Sequence, residues 1–316
     1  MKRITLFSIL SIFSVLGCVE DFDLKLKEAE PRLVVEGLIT NQTGPYYVRL
    51  TKSTPGGLTS IDNSFNQTDN AEPVEDASVV ITDDKGQCDT LKYTIIDVYG
   101  EEYDESFYNQ GFYATQKLKG IPGSTYYLEI NWNNQKYTSS SYMQPVPEIE
   151  KLGYKSVYSE AKMESHYVPT ITFVDPENEI NYYLIQTSRG FNNTKFDINH
   201  SRFWATATLW QYSILEDSHL KPEVIDLEIS NGATPRGIDF YNVYMEGDDI
   251  YIALSSISKE AYYYYKTLLQ QFENDGGAYK PTPATPQGNI SNGALGLFQA
   301  SAVSEKTITI PRPNEN

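Results

Sequence analysis

Leu33-Val34-Val35-Glu36-Gly37-Leu38-Ile39-Thr40, then Asn41-Gln42-Thr43-Gly44-Pro45, then Tyr46-Tyr47-Val48-Arg49-Leu50-Thr51-Lys52, decide the fold of this chain. The first run is rich in β-branched and aliphatic residues, and the third mixes apolar and polar side chains in alternation. Two such runs across a short turn holding Gly and Pro predict a β-hairpin. Working outward, the same grammar repeats. Residues 53–72 are rich in Gly, Ser, Asn, Asp and Thr and read as a long loop. Pro73 to Thr82 reads as a strand closed by Asp83-Asp84-Lys85-Gly86. Thr90 to Val98 follows, Gly111 to Ala114 begins a further strand, Gly120 to Ile130 comes after a turn, and Asn133-Asn134-Gln135 turns into Lys136 to Ser140. Short strands at this spacing predict a mainly β protein opening with an immunoglobulin- or transthyretin-like β-sandwich over residues 31–147.

Pro145, Val146 and Pro147 mark the expected boundary. Residues 148–316 are expected to form a β-rich C-terminal domain, with strands at Thr170–Val174, Tyr182–Thr187, Ser201–Tyr212, Asp249–Leu254, Ala294–Ala300 and Lys306–Ile310. One amphipathic helix is expected at about 258–274. Ser258 is placed to cap it. Ala261, Tyr265, Leu268, Leu269 and Phe272 fall on one face of a 3.6-residue period, and Gly276-Gly277 stops it.

The N-terminus carries a different signal. Met1-Lys2-Arg3 is positive, Ile4 to Leu16 is apolar with only Ser and Thr interrupting, and Gly17-Cys18 follows. The apolar run is shorter than the ~20 residues a membrane-spanning helix needs. Its charge and length are those of a secretory signal peptide over residues 1–17. Val15-Leu16-Gly17-Cys18 resembles a bacterial lipobox, in which cleavage precedes a cysteine that is then lipidated. Cys18 is therefore the expected lipid attachment site, and residues 18–30 form an acidic tether. Val19-Glu20-Asp21-Phe22-Asp23 resembles the acidic export tag of Bacteroidota surface lipoproteins, which implies the outer face of the outer membrane. The same acids also suit a solvated tether on the periplasmic face.

The chain has 316 residues, 40% of them hydrophobic, with a formal charge of −17. That balance excludes nucleic acid as a partner, because phosphate binding rests on Lys and Arg. Cys18 and Cys88 are the two cysteines; with Cys18 lipidated, no intramolecular disulfide is expected. Cys88 sits at a turn entering a strand and reads as structural.

Signals for chemistry are sparse. His166, His200 and His219 have no metal-ligand spacing, and no nucleophile elbow or phosphate loop occurs. Asp62 to Asp69 and Asp175 to Glu179 are oxygen-rich turns that read as solvated rather than as calcium loops. No metal, no cofactor and no enzyme activity are expected. A hydrolase would need a discontinuous site.

Aromatic residues carry the recognition signal: there are 25 tyrosines. Phe203 to Tyr212, read as a strand, puts Trp204, Trp210 and Tyr212 on one face. That face is either a ligand-binding platform or one side of a strand buried on both faces. In Tyr262-Tyr263-Tyr264-Tyr265 the period turns Tyr265 to the core and leaves Tyr263 and Tyr264 for a partner.

Cys18 with its tether, the Leu33–Thr51 opening and Asn289-Ile290-Ser291-Asn292-Gly293-Ala294-Leu295-Gly296-Leu297-Phe298 resemble the DUF4249 family of Bacteroidota lipoproteins, from end to end of the mature chain. Pro73 to Ser141 is similar to carboxypeptidase-regulatory or transthyretin-like sandwiches. The family resemblance implies an accessory role beside a TonB-dependent outer-membrane receptor barrel. The expected function is thus a non-enzymatic, lipid-anchored binding subunit of a nutrient uptake system. A surface adhesin or structural module is the alternative.

Overall fold

Alternation in the opening stretch is realised as a hairpin in the computed structural model, which describes residues 30–53, 72–96, 109–159, 164–177, 179–190, 212–229, 244–273 and 285–312. β1 (Leu33–Thr40) pairs antiparallel with β2 (Tyr47–Lys52), Val35 opposite Leu50. Leu33, Val35, Ile39, Val48 and Leu50 turn inward, and Glu36 meets Arg49 on the outer face at 3.5 Å. β3 (Ser78–Asp83), β4 (Cys88–Thr90), β5 (Lys92–Ile96), β6 (Asn109–Ala114), β7 (Thr125–Trp132) and β8 (Gln135–Tyr142) follow. The β7–β8 turn has Asn133 and Asn134 at φ 49° and 57°. Two consecutive left-handed residues of this type match the right-handed twist of the strands they join.

These strands build two facing sheets. One has the order β15-β1-β2-β6-β5, where β15 is Leu295–Ser301, and the other has the order β4-β3-β7-β8. Their inward rows form one core that includes Tyr46, Ile81, Tyr113, Tyr126, Ile130 and Phe298. Tyrosine can serve in a core because its hydroxyl finds backbone partners. Tyr126 donates to the Lys119 carbonyl and accepts from the Ile121 amide, while Tyr113 donates to the Val74 carbonyl. Asp89 is buried in the same sandwich, where one carboxylate oxygen accepts the backbone N–H groups of Gln116, Lys117 and Leu118 at 2.9, 2.8 and 2.8 Å.

Strand β15 corrects the expected domain division, which placed all of 148–316 in a second unit. It lies parallel to β1, with Val34 beside Leu295 and Gly37 beside Phe298. The physical reason is packing. Gly37 has no side chain, and the Phe298 ring fills that space, within 2.8 Å of where a Cβ would stand. The first sandwich is therefore assembled from both ends of the folded chain. Its β8 side is closed by the same segment, through Ser139 to the Asn289 carbonyl, Thr138 to Ser291 and the amide of Ala300 to Ser141.

The second sandwich faces β13-β10-β9 against β12-β11-β14-β16. Here β9 is Ile149–Ser159, β10 Glu164–Val174, β11 Tyr182–Gly190, β12 Tyr212–Glu216, β13 Glu223–Glu228, β14 Asp249–Ile257 and β16 Val303–Thr309. Ile149, Ile171, Phe173, Tyr183, Ile185, Val224 and the Ile250-Ile252-Leu254 row fill its core. Strands β9 and β13 were not read from the sequence. Both mix charged and apolar residues without a clean period-2 alternation, and each has several exposed side chains.

Among the described residues one α-helix occurs, α1 (Lys259–Glu273), with the Ser258 hydroxyl accepting the Ala261 amide at 3.1 Å. Its apolar face lies on Tyr182 and Leu184 of β11 and on Leu297 of β15. It thus touches both sandwiches. Among the described residues no helix is long and apolar enough to cross a membrane.

Candidate functional site

Three consecutive residues at the start of β11 point to different places and organise the most unusual polar region of the molecule. Pairing of β11 with β12 sets Tyr182 opposite Glu216, so the residues just outside the pair, Asn181 and Asp217, also meet. The Asn181 amide donates to the Asp217 carboxylate at 2.8 Å, and the Asp217 amide donates back to the Asn181 carbonyl at 3.2 Å. Asp217 opens a short 3-10 helix, Asp217–His219. Tyr183 points into the second core and donates to Asp175, the residue after β10, at 2.5 Å. The Asp175 amide is tied to the Pro222 carbonyl at 2.7 Å. Asn181 also accepts from the Gln144 side chain at 3.1 Å, which links the cluster to the strand leaving the first sandwich.

Asp175 and Asp217 are thus two buried, adjacent carboxyl groups, 8% and 6% exposed. Burial is the main force that pushes the Asp175 pKa up, to about 6; the Tyr183 bond opposes it and the neighbouring Asp217 carboxyl adds to it. Burial, and then the bond to Asp175, pushes the Tyr183 phenol above its ordinary range. Chemically this arrangement favours the protonated form of Asp175, and the Asp217 carboxyl alongside reinforces that preference. Its donors and acceptors come from the β10–β11 turn, β11 and the end of β12, so it clasps three elements together.

On the opposite face of β11, Tyr182 packs on Tyr262 of α1 with ring centroids 5.0 Å apart. Tyr263 stands edge-on to Tyr262 at 5.4 Å, and the Lys266 ammonium lies 5.6 Å and 5.9 Å from those two rings. A cation over aromatic faces at these distances is attractive. Tyr263 is 47% exposed, which places it outward as the helical period predicts. Tyr264 is half-buried and packs edge-on against Tyr265, whose hydroxyl lies 3.2 Å from Gln299 of β15.

The other sequence-predicted positions fall as follows. Tyr212 begins β12 opposite Gln186. Cys18, Trp204 and Trp210 lie outside the described residues, as do His200 and the Asp62 to Asp69 loop. His166 is in β10, His219 ends the 3-10 helix, and Cys88 is exposed at the start of β4. Among the described residues no group of three or more His, Cys, Asp or Glu side chains is placed to hold a metal ion. The acidic turn from Asp175 to Glu179 has its first residue inside the protein, where it pairs with an acid 42 positions later. No local pattern announces Asp217; its only sequence signal is an acid directly after a strand.

Curated proteins give no match to this chain. A family model described as a domain of unknown function matches residues 19–307, which span both sandwiches and the closing strand pair almost completely. The chain belongs to the DUF4249 family.

Proposed function

We propose that this protein is a lipid-anchored outer-membrane lipoprotein of the Bacteroidota type, held through Cys18. It acts there as a non-enzymatic accessory of a TonB-dependent uptake system, with its body at the cell surface. The observation that carries the reading is Leu16-Gly17-Cys18 behind a short apolar run, with the family match beginning at the very next residue, Val19. Fourteen residues separate Cys18 from Leu33, where β1 begins. At ~3.3–3.6 Å each they reach at most about 50 Å, enough to present both sandwiches clear of the anchoring surface. The exposed Tyr263 and its neighbour Tyr264 on α1, with Trp204, Trp210 and Tyr212, are the contact residues this reading nominates. The accessory role rests on the family resemblance and the net charge of −17, which disfavours anionic partners.

The test is extraction of the tagged protein from its native membrane in mild detergent, followed by mass spectrometry of what accompanies it. A receptor barrel at matching stoichiometry supports the accessory reading. A solitary protein, together with unchanged nutrient uptake in a deletion strain, moves the assignment to a surface adhesin. In parallel, Cys18→Ser should release the protein into the soluble fraction and abolish incorporation of labelled fatty acid.

A further inference from the structure

The outward face of the β4-β3-β7-β8 sheet carries two exposed tyrosines, Tyr127 and Tyr142. Core residues Tyr126, Leu128 and Ile130 alternate along β7 with Tyr127, Glu129 and Asn131, so the latter three face out. On β8 the outward row ends in Ser140 and Tyr142. Register fixes the lattice. Thr82, Tyr127 and Ser140 lie directly across from one another, and Thr125 lies across from Tyr142. Tyr127 and Tyr142 are therefore diagonal neighbours on one face, ~7–8 Å apart at their backbones. They are 49% and 51% exposed, on regular strands rather than loops.

Asp84, in the β3–β4 turn, borders the two rings: its carboxylate accepts the amide of Thr125, the residue directly across from Tyr142, at 3.1 Å. Glu129 is the one acid and Lys136 the one base that β3, β4, β7 and β8 turn outward, and they bond each other at 2.7 Å. Hydroxyls of Thr82, Thr125, Thr138 and Ser140 dominate the remaining outward positions, with Val80 and the exposed Cys88 on the β3–β4 side. This is a flat plate with two aromatic rings set among hydroxyl donors and acceptors. An apolar protein partner would leave those hydroxyls without partners, which is costly on burial. An anionic partner would meet Asp84, and the one outward base of these strands is already paired. A neutral polyhydroxyl chain satisfies both demands: its C–H faces stack on the rings and its hydroxyls exchange hydrogen bonds with Thr and Ser. Tyrosine suits this because it offers rigid area with a polar tip at small entropic cost.

We propose that this sheet face binds neutral polysaccharide, with Tyr127 and Tyr142 as the stacking residues. The inference is independent of the uptake reading, since it concerns the first sandwich alone and holds for an adhesin as well. The test is affinity electrophoresis of the full chain in mild detergent, through native gels carrying mixed-linkage β-glucan, xylan or galactomannan. Retardation is expected on at least one gel. It should fall at least twofold in Tyr127→Ala and in Tyr142→Ala and vanish in the double variant, with melting temperatures unchanged because both rings are half in solvent. Tyr158→Ala, an exposed tyrosine of the second sandwich (59% exposed), should leave retardation intact. No retardation on any of the three gels overturns the proposal. So does a double variant that migrates like the parent, or a Tyr158→Ala loss as large as that of the platform variants.

Discussion

The phenol of Tyr183 donates a 2.5 Å hydrogen bond to the carboxyl group of Asp175, and both groups are buried at the edge of the second core beside Asp217. A donor of this kind stabilises a carboxylate, yet the Asp175 pKa still rises to about 6, so burial outweighs the bond. Two further acids border the cluster, Glu179 of the turn acting on Tyr183 and Glu216 of β12 acting on Tyr182.

That imbalance sets a pH dependence. The folded carboxyl holds its proton more tightly than an unfolded aspartic acid, whose pKa is ~3.9. The stability it contributes is complete below pH ~4 and is lost as pH rises through about 6. Asp175→Asn keeps the acceptor for Tyr183 and removes the titration. Thermal melts from pH 4 to 8 should show the variant gaining on the parent by a few degrees above pH 6 and little below pH 5. A constant difference across that range would count against the clasp.

Gly37 and Gly296 test the junction of β1 with β15. A Cβ at Gly37 would stand 2.8 Å from the fully buried Phe298 ring, so Gly37→Ala should cost ~1–3 kcal/mol by overpacking. At Gly296 φ is +100°, and a Cβ would stand 1.9 Å from the Val35 carbonyl oxygen, on backbone that cannot yield. Gly296→Ala should therefore destabilise more than Gly37→Ala. Urea midpoints of the two variants give the ranking directly.

A fragment of residues 30–147 should not fold. It lacks Phe298 and leaves the β1 edge unpaired where β15 belongs. Exposed apolar surface is expected to bind a hydrophobic dye strongly, and amide dispersion should be poor. Adding residues 285–303 as a separate peptide should restore protection from protease.

Asp89 carries three backbone N–H bonds on one buried oxygen. Asp89→Ala leaves those donors without a partner at ~1–3 kcal/mol each, so unfolding near room temperature is expected. Asp89→Asn keeps an acceptor and should lose far less. Circular dichroism melts of the two variants separate the lost bonds from the lost charge.

Much of the fold was legible because it is local. The Leu33–Lys52 hairpin, the Asn133-Asn134 turn and the helix capped by Ser258 each rest on neighbours within about twenty positions. On α1 the period named Ala261 and Tyr265 but left out Tyr262, which is buried because β11 approaches that side of the helix with Tyr182. What escaped was non-local. Strand β15 reads like any other, and nothing in its residues says that its partner lies 261 positions earlier. Asp175 and Asp217 are each an ordinary acid in an ordinary turn; only the β11–β12 register makes them a pair.

The place of β15 also governs when the molecule can form. Val34 finds its parallel neighbour only when Leu295 has been made. At ~5–20 residues per second, the opening hairpin waits roughly 10–50 s after its own synthesis for the strand that completes its sheet. Through that interval the first sandwich stays incomplete even though its first eight strands already exist. The two halves are therefore finished almost together, and the chain remains pliable until its last strands are present.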